Sequence, residues 1–468
     1  MGKRRATKTT GVSNPVAGIF PVSLHEFEKS SILKTSQRWA MFTKKTIKDI
    51  TVDGKRVLVR ADYNVPLDDK GNITDDYRIR QNLPTLEYLL DHGASVIVCS
   101  HLGRPAGKVD PKLSLFPIAK RLKELLGREV EFVPDCIGER AEKAARELKP
   151  GQVLLLENVR FHPEEEANDE GFAHKLASLA DIFVQDAFGV VHHGAVSVSE
   201  LPKYLPSAAG LLLEKEVDTI TGVMERPKRP LMAVIGGAKI ADKIDILHKF
   251  IDIADFVAVG GAMANTFLVA QGIDVEDSLY AKEDLPVARD IIAEAEAKAA
   301  KTPFIFALPR DGVVAHKADK TAPTRIVDWS TGMVADIENY PKRPPALSSH
   351  IAPHEMILDI GPFSASFIAG GIQLAGTVVW NGAVGVTETP SLHDPVGPTA
   401  HGTEIIVEAM LGQFGNRPYT LVGGGDTVGY IESRNLLKAF DHVSTGGGAS
   451  LELMAGHKLP GVEALEDK

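Results

Sequence analysis

Residues 55–100 read KRVLVRADYNVPLDDKGNITDDYRIRQNLPTLEYLLDHGASVIVCS, and this stretch decides the fold class. It holds a short apolar run at Arg56–Arg60, a helical spacing of apolar residues over Ile79–Asp91, and a continuous apolar run at Ser95–Ser100. Apolar runs without alternation are typical of strands that helices cover on both faces. The stretch therefore predicts a strand–helix–strand unit of a parallel sheet.

The same rhythm continues and then restarts along the chain. The first half adds a helical pattern at Leu115–Leu126 and strand candidates at Val153–Leu156 and Ile182–Val184. The second half has six strand candidates, at Leu231–Ile235, Phe256–Val259, Thr302–Phe306, Thr377–Val379, Thr420–Val422 and His442–Ser444. We expect an α/β fold of two Rossmann-like lobes, each a doubly wound, mostly parallel sheet, joined by a hinge helix.

The predicted organisation has five parts, namely a flexible N-terminal extension at 1–40, an N-terminal domain at 41–210, the hinge helix at 211–224, a C-terminal domain at 225–445 and a C-terminal segment at 446–468. The extension is basic at its start and poor in acidic residues. An organelle transit peptide has this composition, but the stretch lacks a clear Arg-rich amphipathic helix. A flexible extension, or an upstream start codon with Met41 as the older start, is the favoured interpretation.

Composition excludes several classes of protein. Of the 468 residues, 44% are hydrophobic and 24% charged, which is typical of a globular protein. The 52 basic and 62 acidic residues give a net charge of −10, which argues against a protein that coats nucleic acid. No apolar run reaches the ~18 residues of a membrane span. Cys99 and Cys136 are too few for a disulfide scaffold or a cysteine-based zinc site, and we expect core thiols in a reducing compartment.

Three strands of the second half run directly into glycines, at Gly236–Gly237, Gly423–Gly425 and Gly446–Gly448. Glycine lets the backbone approach a ligand closely, and a helix that follows offers free N–H groups and a positive dipole end to an anion. Ligands of open α/β sheets bind at the carboxyl ends of the strands. Three such junctions in one lobe therefore predict an anion site.

Charged side chains follow two of these glycine junctions. Lys239 and Lys243 are four residues apart, and we expect them to share one face at the start of a helix. A solvated surface pair is the alternative, but a phosphate bound beside the glycines would offset their repulsion. Asp426 suits Mg²⁺, which prefers one or two carboxylates plus substrate phosphates, and a helix N-cap role is compatible with that. The chain has neither a Walker A sequence nor a GxGxxG fingerprint.

Basic and polar side chains follow the strands of the first half. They lie in RADYNVP at 60–66, SHLGRP at 100–105, ENVRFH at 157–162 and DAFGVVHH at 186–193. Arg78, before a predicted helix, can join them. Arginine suits bidentate recognition of anions, so several arginines at equivalent strand ends predict a site for an anionic substrate. One lobe that binds a nucleotide and another that binds a small anion indicate phosphoryl transfer with hinge closure.

These motifs together resemble the phosphoglycerate kinase family, in order and from Met41 to Leu465. The family-like segments are RADYNVP at 60–66, SHLGRP at 100–105, LLLENVRF at 154–161, DAFG at 186–189, GGAKIADKI at 236–244, WNGAVGVTE at 380–388, GGGDT at 423–427 and STGGGASLE at 444–452. The resemblance implies a monomeric, cytoplasmic, glycolytic enzyme. Such an enzyme transfers the acyl phosphate of 1,3-bisphosphoglycerate to MgADP, giving 3-phosphoglycerate and MgATP. The N-terminal domain then binds phosphoglycerate, the C-terminal domain binds the nucleotide, and the segment at 446–468 returns to the N-terminal domain.

The resemblance also implies three sets of site residues. The phosphoglycerate-binding set is Asp62, Asn64, Arg78, His101, Arg104, Arg160 and His193. The nucleotide-binding set is Gly237, Lys239, Lys243, Gly261, Asn381, Glu388, Gly424, Gly425, Asp426 and Thr427, with Asp426 as the carboxylate for Mg²⁺. The catalytic set around the transferred phosphoryl group is Arg78, Lys239, Gly447 and Gly448.

The chain departs from the family pattern in two of these segments. The family usually has His-Arg-Ala-His after DAFG, where this chain has His192, His193, Gly194 and Ala195. A free histidine has a pKa near 6.5, so His193 carries less positive charge at pH 7 than the expected arginine. Loss of one charge-assisted hydrogen bond costs on the order of 1.5–3 kcal/mol, which predicts weaker phosphoglycerate binding without loss of the reaction. Ala383 stands where proline is usual.

Three alternatives stay open from sequence. A degenerate homologue would serve as a binding protein, although the charged and glycine residues of both lobes are present. A kinase for another small anionic substrate would bind ATP but leave phosphoglycerate unchanged. A nicotinamide dehydrogenase fits the α/β rhythm but lacks the fingerprint, and titrations with MgATP and NAD would separate it.

Overall fold

Two parallel six-stranded sheets organise the chain. The computed structural model describes residues 42–329, 347–348, 350–390 and 394–468, and the predicted extension at 1–40 lies outside the described residues. All described residues belong to one unit, Trp39–Lys468. The α/β class with two parallel sheets, as predicted, is confirmed.

The first sheet comes from the first half of the chain. Its strands are β1 (Arg56–Arg60), β2 (Ser95–Cys99), β3 (Val130–Val133), β4 (Val153–Leu156), β5 (Ile182–Gln185) and β6 (Ser207–Ala209). The accompanying helices are α1 (Tyr77–Asp91), α2 (Phe116–Leu126), α3 (Gly138–Glu147), α4 (Pro163–Glu166) and α5 (Glu170–Ala177). The order β3-β4-β2-β1-β5-β6 is parallel throughout.

Burial on both faces explains why the strands of this sheet have continuous apolar runs. Leu58 of β1 packs into one hydrophobic cluster, whereas Val57 and Val59 pack into another. Helices cover each face, so every residue of the run gains from burial. The parallel pairing also brings the carboxyl ends of all six strands to one edge, where the polar segments predicted to bind an anion begin.

A long helix, α6 (Leu211–Glu225), follows the first sheet. Its first backbone N–H groups are capped by a distant side chain, because Asp186 Oδ1 accepts from Leu212 N at 3.0 Å and Leu213 N at 3.1 Å. Asp186 follows β5 directly. The loop after β5 therefore fixes where α6 begins.

The second sheet starts after α6 with β7 (Leu231–Ile235), β8 (Phe256–Val259) and β9 (Ile305–Ala307). Its first helices are α7 (Ile244–Ile253), α8 (Ala262–Ala270) and α9 (Leu285–Ala299). Alternate residues of β7 again pack into two different clusters, with Ala233 on one side and Val234 on the other. Helices therefore cover both faces of this sheet too.

A small four-stranded sheet that we did not predict follows β9. Its strands are β10 (Asp311–Ala315), β11 (Arg325–Asp328), β12 (Leu347–Ser348) and β13 (Met356–Ile360), in the order β12-β11-β10-β13. Its pairs are antiparallel except β11 with β12. These strands are short and partly exposed, so they lack the long apolar runs on which the strand predictions relied.

The chain then completes the second sheet with β14 (Thr377–Asn381), β15 (Tyr419–Gly423) and β16 (His442–Val443). The remaining helices are α10 (Pro362–Leu374), α11 (His401–Met410), α12 (Gly425–Ser433), α13 (Gly447–Ala455) and α14 (Pro460–Glu463). The order β16-β15-β14-β7-β8-β9 is parallel throughout. Among the described helices, none combines the length and apolarity needed to cross a bilayer.

The last residues of the chain lie against residues of the first half. Gly461 N donates to Val191 O at 2.8 Å, and Lys468 N donates to Thr43 O at 3.0 Å. Helix α13 packs on α6 and α7 and also on the turn at Phe188–Val190 in the first half. The domain boundaries themselves stay a prediction.

Candidate active site

The loop after β1 holds an ion pair at the carboxyl edge of the first sheet. Arg78 Nη1 donates to Asp62 Oδ2 at 3.0 Å and to Asn64 O at 3.2 Å. The Asp62 carboxylate is buried at 7% exposure, and its Oδ1 accepts from Asn64 N at 3.1 Å. Because two acceptors fix one nitrogen of the guanidinium, its other N–H groups are oriented by the protein before a ligand arrives.

His101 lies beside this ion pair as a neutral hydrogen-bond donor. Burial, together with the positive charges of Arg60 and Arg160, holds the pKa of His101 well below its usual range. Arg60 Nη2 lies 3.2 Å from His101 Nδ1, and a guanidinium can only donate. Nδ1 therefore accepts, and the proton of the neutral ring resides on Nε2.

The role of Arg60 itself was not predicted from the sequence. The side chain is buried at 1% exposure, and its Nε donates to Ser197 Oγ at 2.7 Å. Ser197 N in turn donates to the buried carboxylate of Glu165 at 3.0 Å. A buried charge needs such partners. The available sequence sign was an arginine at the last position of a strand whose three central residues are apolar.

The remaining residues of the phosphoglycerate-binding set lie at the same edge but differ in exposure. Arg160 Nη1 donates to Gly103 O at 3.0 Å, and its Nε lies 3.4 Å from Glu166 Oε1. Arg104 and His193 are exposed. The ring of His193 lies against that of His192, with centroids 3.8 Å apart. The set therefore combines fixed side chains with solvent-facing ones.

Glycines bring three loops close together at the carboxyl edge of the second sheet. Gly261 has a φ of +67°, which favours glycine, and its N donates to Val384 O at 3.0 Å. A Cβ atom at Gly261 would lie 2.8 Å from Gly237 N and 2.9 Å from Ala383 O. Larger residues here would separate the loops after β7, β8 and β14.

The structure corrects the prediction that Lys239 and Lys243 share a face at the start of a helix. Helix α7 begins at Ile244, and Lys243 ends a single 3-10 turn, whereas Lys239 precedes that turn and is exposed. The two glycines after β7 and the 3-10 turn at Ala241–Lys243 lie between the strand and the helix. Helical geometry therefore begins only at Ile244. The two lysines therefore have different environments.

Lys243 is held by the backbone and side chain of the neighbouring strand loops. Its Nζ donates to Gly236 O at 2.6 Å, Asn381 O at 2.9 Å and Asn381 Oδ1 at 2.6 Å. Burial lowers the pKa of Lys243 to about 8, against the opposing effect of Asp426. The buried Nδ2 of Asn381 has no acceptor among the described residues, so it is a donor that a ligand oxygen can satisfy.

The first turn of α12 carries the predicted carboxylate. Gly424 precedes the helix with a φ of +94°, and Gly425 is its first residue. Asp426 and Gly425 are exposed, whereas Thr427 is buried and its Oγ1 accepts from Gly382 N at 2.7 Å. Among the described residues, the Asp426 carboxylate has no hydrogen bond or ion pair. It is therefore available to a cation, and the predicted N-cap role is absent because the cap position is Gly424.

A cavity of about 300 Å³ opens beside these loops. Its lining includes four of the predicted nucleotide residues, namely Gly237, Gly261, Glu388 and Asp426. Its walls are otherwise largely apolar, with Leu268 and Leu279 on one side and Met356–Ile360 of the small sheet on another. An apolar pocket with a few polar groups suits a flat organic ring. The wall formed by the small sheet was not predicted, because the strands of that sheet were not predicted.

The glycine segment at 446–448 contacts the edge of the first sheet. A Cβ atom at Gly448 would lie 2.7 Å from His192 Nε2, and one at Gly446 would lie 2.7 Å from Cδ1 of Phe188. Burial and the neighbouring His193 lower the pKa of His192 to about 4. Its buried Nδ1 has no partner among the described residues. Two of the three glycines thus lie beside residues of the first sheet's edge, one of them His192, the neighbour of His193 in the predicted phosphoglycerate-binding set.

Helix α6 reaches the same segment through a buried carboxylate. Glu216 Oε1 accepts from Thr445 N at 2.6 Å, and its Oε2 lies 2.8 Å from His442 Nε2. Burial raises the pKa of Glu216, but the charge of His442 and these hydrogen bonds outweigh it and hold the pKa below its usual value. Tyr77 of α1 also donates to Val443 O at 2.8 Å. Helices α1 and α6 therefore both form hydrogen bonds with β16 or the residues that follow it in the second sheet.

Known proteins are similar to this chain in sequence and in fold. A sequence model described as phosphoglycerate kinase matches residues 47–457. The chain is 48% identical to a phosphoglycerate kinase of Moorella thermoacetica over 425 residues, covering 91% of this chain and 100% of that protein. It is 45% identical to one of Aquifex aeolicus over 429 residues, covering 92% and 100%.

Solved structures agree with the sequence comparisons. The fold is similar to phosphoglycerate kinase from Coxiella burnetii, with a TM-score of 0.73 and 33% identity, covering 90% of this chain and 98% of that one. Pyrococcus horikoshii phosphoglycerate kinase gives a TM-score of 0.73 at 29% identity, covering 90% and 98%. The predicted resemblance is confirmed, and the chain belongs to the phosphoglycerate kinase family.

Proposed function

We propose that the chain transfers the acyl phosphate of 1,3-bisphosphoglycerate to MgADP, reversibly, giving 3-phosphoglycerate and MgATP. One observation carries this proposal beyond family membership. The glycine segment at 446–448, after the last strand of the second sheet, contacts His192 at the carboxyl edge of the first sheet. A phosphoryl group held there can be reached from both edges, as direct transfer between two substrates requires.

The first edge binds the phosphoglycerate. Arg78, oriented by Asp62 and Asn64, presents its remaining N–H groups, and His101 presents Nε2–H. Arg104 and Arg160 supply further donors for carboxylate and phosphate oxygens. A neutral His101 donates without needing a proton from solvent, so its contribution stays constant through neutral pH.

The second edge binds the nucleotide. The apolar cavity accepts the base, and Glu388 at its rim suits the ribose hydroxyl groups. Lys243, Asn381 and the glycine amides bind phosphate oxygens. Gly424, Gly425 and Thr427 set the turn that brings the first N–H groups of α12 to the same place.

The residues at this edge fit Mg²⁺ bound with the nucleotide. Asp426 is an exposed carboxylate without a protein partner among the described residues, next to the lysine that binds phosphate. Magnesium prefers one or two carboxylates plus substrate phosphates. When bound, the ion neutralises phosphate charge, and Asp426 is the residue that would hold it.

The transfer step needs neither a covalent intermediate nor a strong base. An oxygen of the ADP β-phosphate attacks the acyl phosphorus in line, and the bond to the carboxyl oxygen breaks as carboxylate leaves. Negative charge spreads over the three equatorial oxygens. Arg78 and Lys239 neutralise it by charge, and the N–H groups of Gly447 and Gly448 do so by hydrogen bonds.

Closure of the two domains about α6 completes the site. We infer domains at 41–210 and 225–445, with 211–224 as the hinge helix and 446–468 extending to the first domain. The Glu216–Thr445 contact supports this, because it links the hinge helix directly to the glycine segment. Closure excludes water and so protects the acyl phosphate from hydrolysis.

His193→Arg tests the assignment of the substrate edge. We expect robust turnover of 3-phosphoglycerate with MgATP, coupled to NADH oxidation, and a KM for 3-phosphoglycerate about 10- to 100-fold lower in the variant. The reason is one restored charge-assisted hydrogen bond. The KM for MgATP serves as the internal control and should stay unchanged. No turnover in either protein despite MgATP binding would reject the function in favour of another substrate or a binding role.

Lys243 should make nucleotide binding depend on pH. Its pKa near 8 means that it is protonated below pH 8 and loses its charge above it. The protonated form binds phosphate better, so the Kd for MgATP should rise by up to about tenfold per pH unit above pH 8. Calorimetric titrations from pH 7 to 9.5 would check this, with Lys243→Arg as the control that stays charged. A flat profile in the unmodified chain would contradict it.

We also infer that the chain acts as a monomer in the cytoplasm. The proposal rests on the glycolytic reaction and on two buried, unpaired cysteines, Cys99 and Cys136, which suit a reducing compartment. Light scattering after size-exclusion chromatography should give a mass near 50.4 kDa. A dimer at micromolar concentration would contradict the monomer.

A further inference from the structure

Three potential metal ligands of different chemistry converge at residues outside the sets assigned to the proposed active site. Asp135 and Cys136 follow β3, the edge strand of the first sheet, and His162 precedes α4. One ligand atom from each residue lies within 4.8 Å of the other two. Neither the family comparison nor the proposed reaction uses them.

The three side chains are held in place by contacts of their own. His162 Nε2 lies 2.9 Å from Asp135 Oδ1, which also accepts from Cys136 N at 2.7 Å. Cys136 is buried at 1% exposure in the core of the first half, and the His162 ring packs against Phe172 with centroids 5.2 Å apart. The His162 and Asp135 side chains are 26% and 45% exposed, so the cluster opens to solvent on one side.

The spacing fits a tetrahedral ion after small side-chain movements. Zn–N and Zn–O bonds of about 2.0–2.1 Å place two such donors about 3.3 Å apart, and a Zn–S bond of about 2.3 Å places sulfur about 3.6 Å from them. The His162–Asp135 pair at 2.9 Å is slightly closer than this. The Cys136 sulfur lies within 4.8 Å of the ligand atoms of Asp135 and His162. These atoms therefore need to approach one another by about an ångström at most.

One further acidic side chain lies near the cluster. Glu165 is buried nearby and contributes negative charge at Cys136, but both of its oxygens are bound by Ser197, so it is not a free ligand. The exposed side leaves room for a water molecule as the fourth ligand.

We propose that Asp135, Cys136 and His162 form a zinc site, with thiolate, imidazole and carboxylate ligands. The soft thiolate and the borderline imidazole select zinc or cobalt over magnesium. The small number of cysteines argues against a cysteine-based zinc site, and this cluster uses one cysteine only. Bound metal would tie the loop after β3 to the segment before α4, and would therefore stabilise the folded chain.

Cobalt binding to the full chain tests this site, in excess Mg²⁺ so that carboxylate sites are filled. We expect one Co²⁺ per chain and a cobalt–thiolate charge-transfer band in the near ultraviolet. Zn²⁺ should abolish the band and raise Tm. Cys136→Ser should remove the band and the Tm shift, while Cys99→Ser, the matched buried thiol, should keep both. His162→Ala should weaken cobalt binding by at least about tenfold.

Unfolding curves in chelator would show that the variants are folded before metal is added. The absence of a thiolate band at stoichiometric Co²⁺ in the unmodified chain would overturn the proposal. Persistence of the band in Cys136→Ser, or its loss in Cys99→Ser, would do the same. The tests are independent of turnover, so they hold whatever the outcome for phosphoglycerate.

Discussion

Replacing Lys239 with alanine is expected to lower kcat by about 10²–10³-fold and to change KM for either substrate only a few-fold. The side chain is exposed at the end of the loop after β7, and among the described residues it has no hydrogen bond or ion pair. Its charge is therefore uncommitted in the free protein. It matters chiefly when negative charge develops on the phosphoryl group in flight.

The measurement is steady-state kinetics in both directions, with Tm recorded alongside. Because the side chain has no protein partner among the described residues, stability should change by less than about 0.5 kcal/mol. Lys301→Ala is the matched control, an exposed lysine before β9 at the opposite edge of the second sheet. A rise in KM with unchanged kcat would mean that Lys239 only binds the ground state.

Gly236→Ala is expected to destabilise the second sheet severely, by about 3–5 kcal/mol, and to abolish MgATP binding. An added Cβ atom would overlap the carbonyl oxygen of Ala383 and lie 2.6 Å from that of Gly382. Both obstacles are backbone, so relief requires the loops after β7 and β14 to move apart. Lys243 Nζ binds Gly236 O and Asn381 O across that same gap, so the lysine would lose its position too.

Gly370→Ala is a control that is expected to change the free energy of unfolding in the opposite direction. Gly370 is an exposed residue inside α10, and an added Cβ atom would meet nothing within 4 Å. Alanine there should stabilise the chain by about 0.8–1 kcal/mol through helix propensity. Urea unfolding followed by circular dichroism measures both variants. Equal stability of Gly236→Ala and the unmodified chain would contradict the close approach of the two loops.

The elements that sequence predicted well are those whose burial is uniform. Runs such as Arg56–Arg60 and Leu231–Ile235 match β1 and β7, because both faces of each strand are covered and every position is apolar or terminal. The missed strands carry a weaker pattern. Edge strand β3 reads VEFV with one exposed residue, and β11 reads RIVD, so neither shows a continuous apolar run.

The site was predicted as a set of strand ends, but not as a set of contacts. Parallel pairing alone places the loops after β1, β2, β4 and β5 at one edge, as expected. Contacts such as Glu216 with Thr445, 229 residues apart, depend on how the sheets pack and leave no local pattern. The prediction that Lys239 lies in the first turn of a helix was wrong for a local reason. The segment after Gly237 includes a 3-10 turn, and the helix begins only at Ile244.

A single-turnover experiment tests direct transfer between two substrates most directly. Limiting 1,3-bisphosphoglycerate labelled in its acyl phosphate is mixed with excess chain and MgADP, stopped with EDTA and denaturant at neutral pH, and separated into nucleotide, acyl phosphate and protein. We predict that label passes to ATP without appearing on protein at any time, and that omission of MgADP leaves the acyl phosphate intact. Absence of labelled ATP, or labelled protein that forms before ATP, would contradict the account.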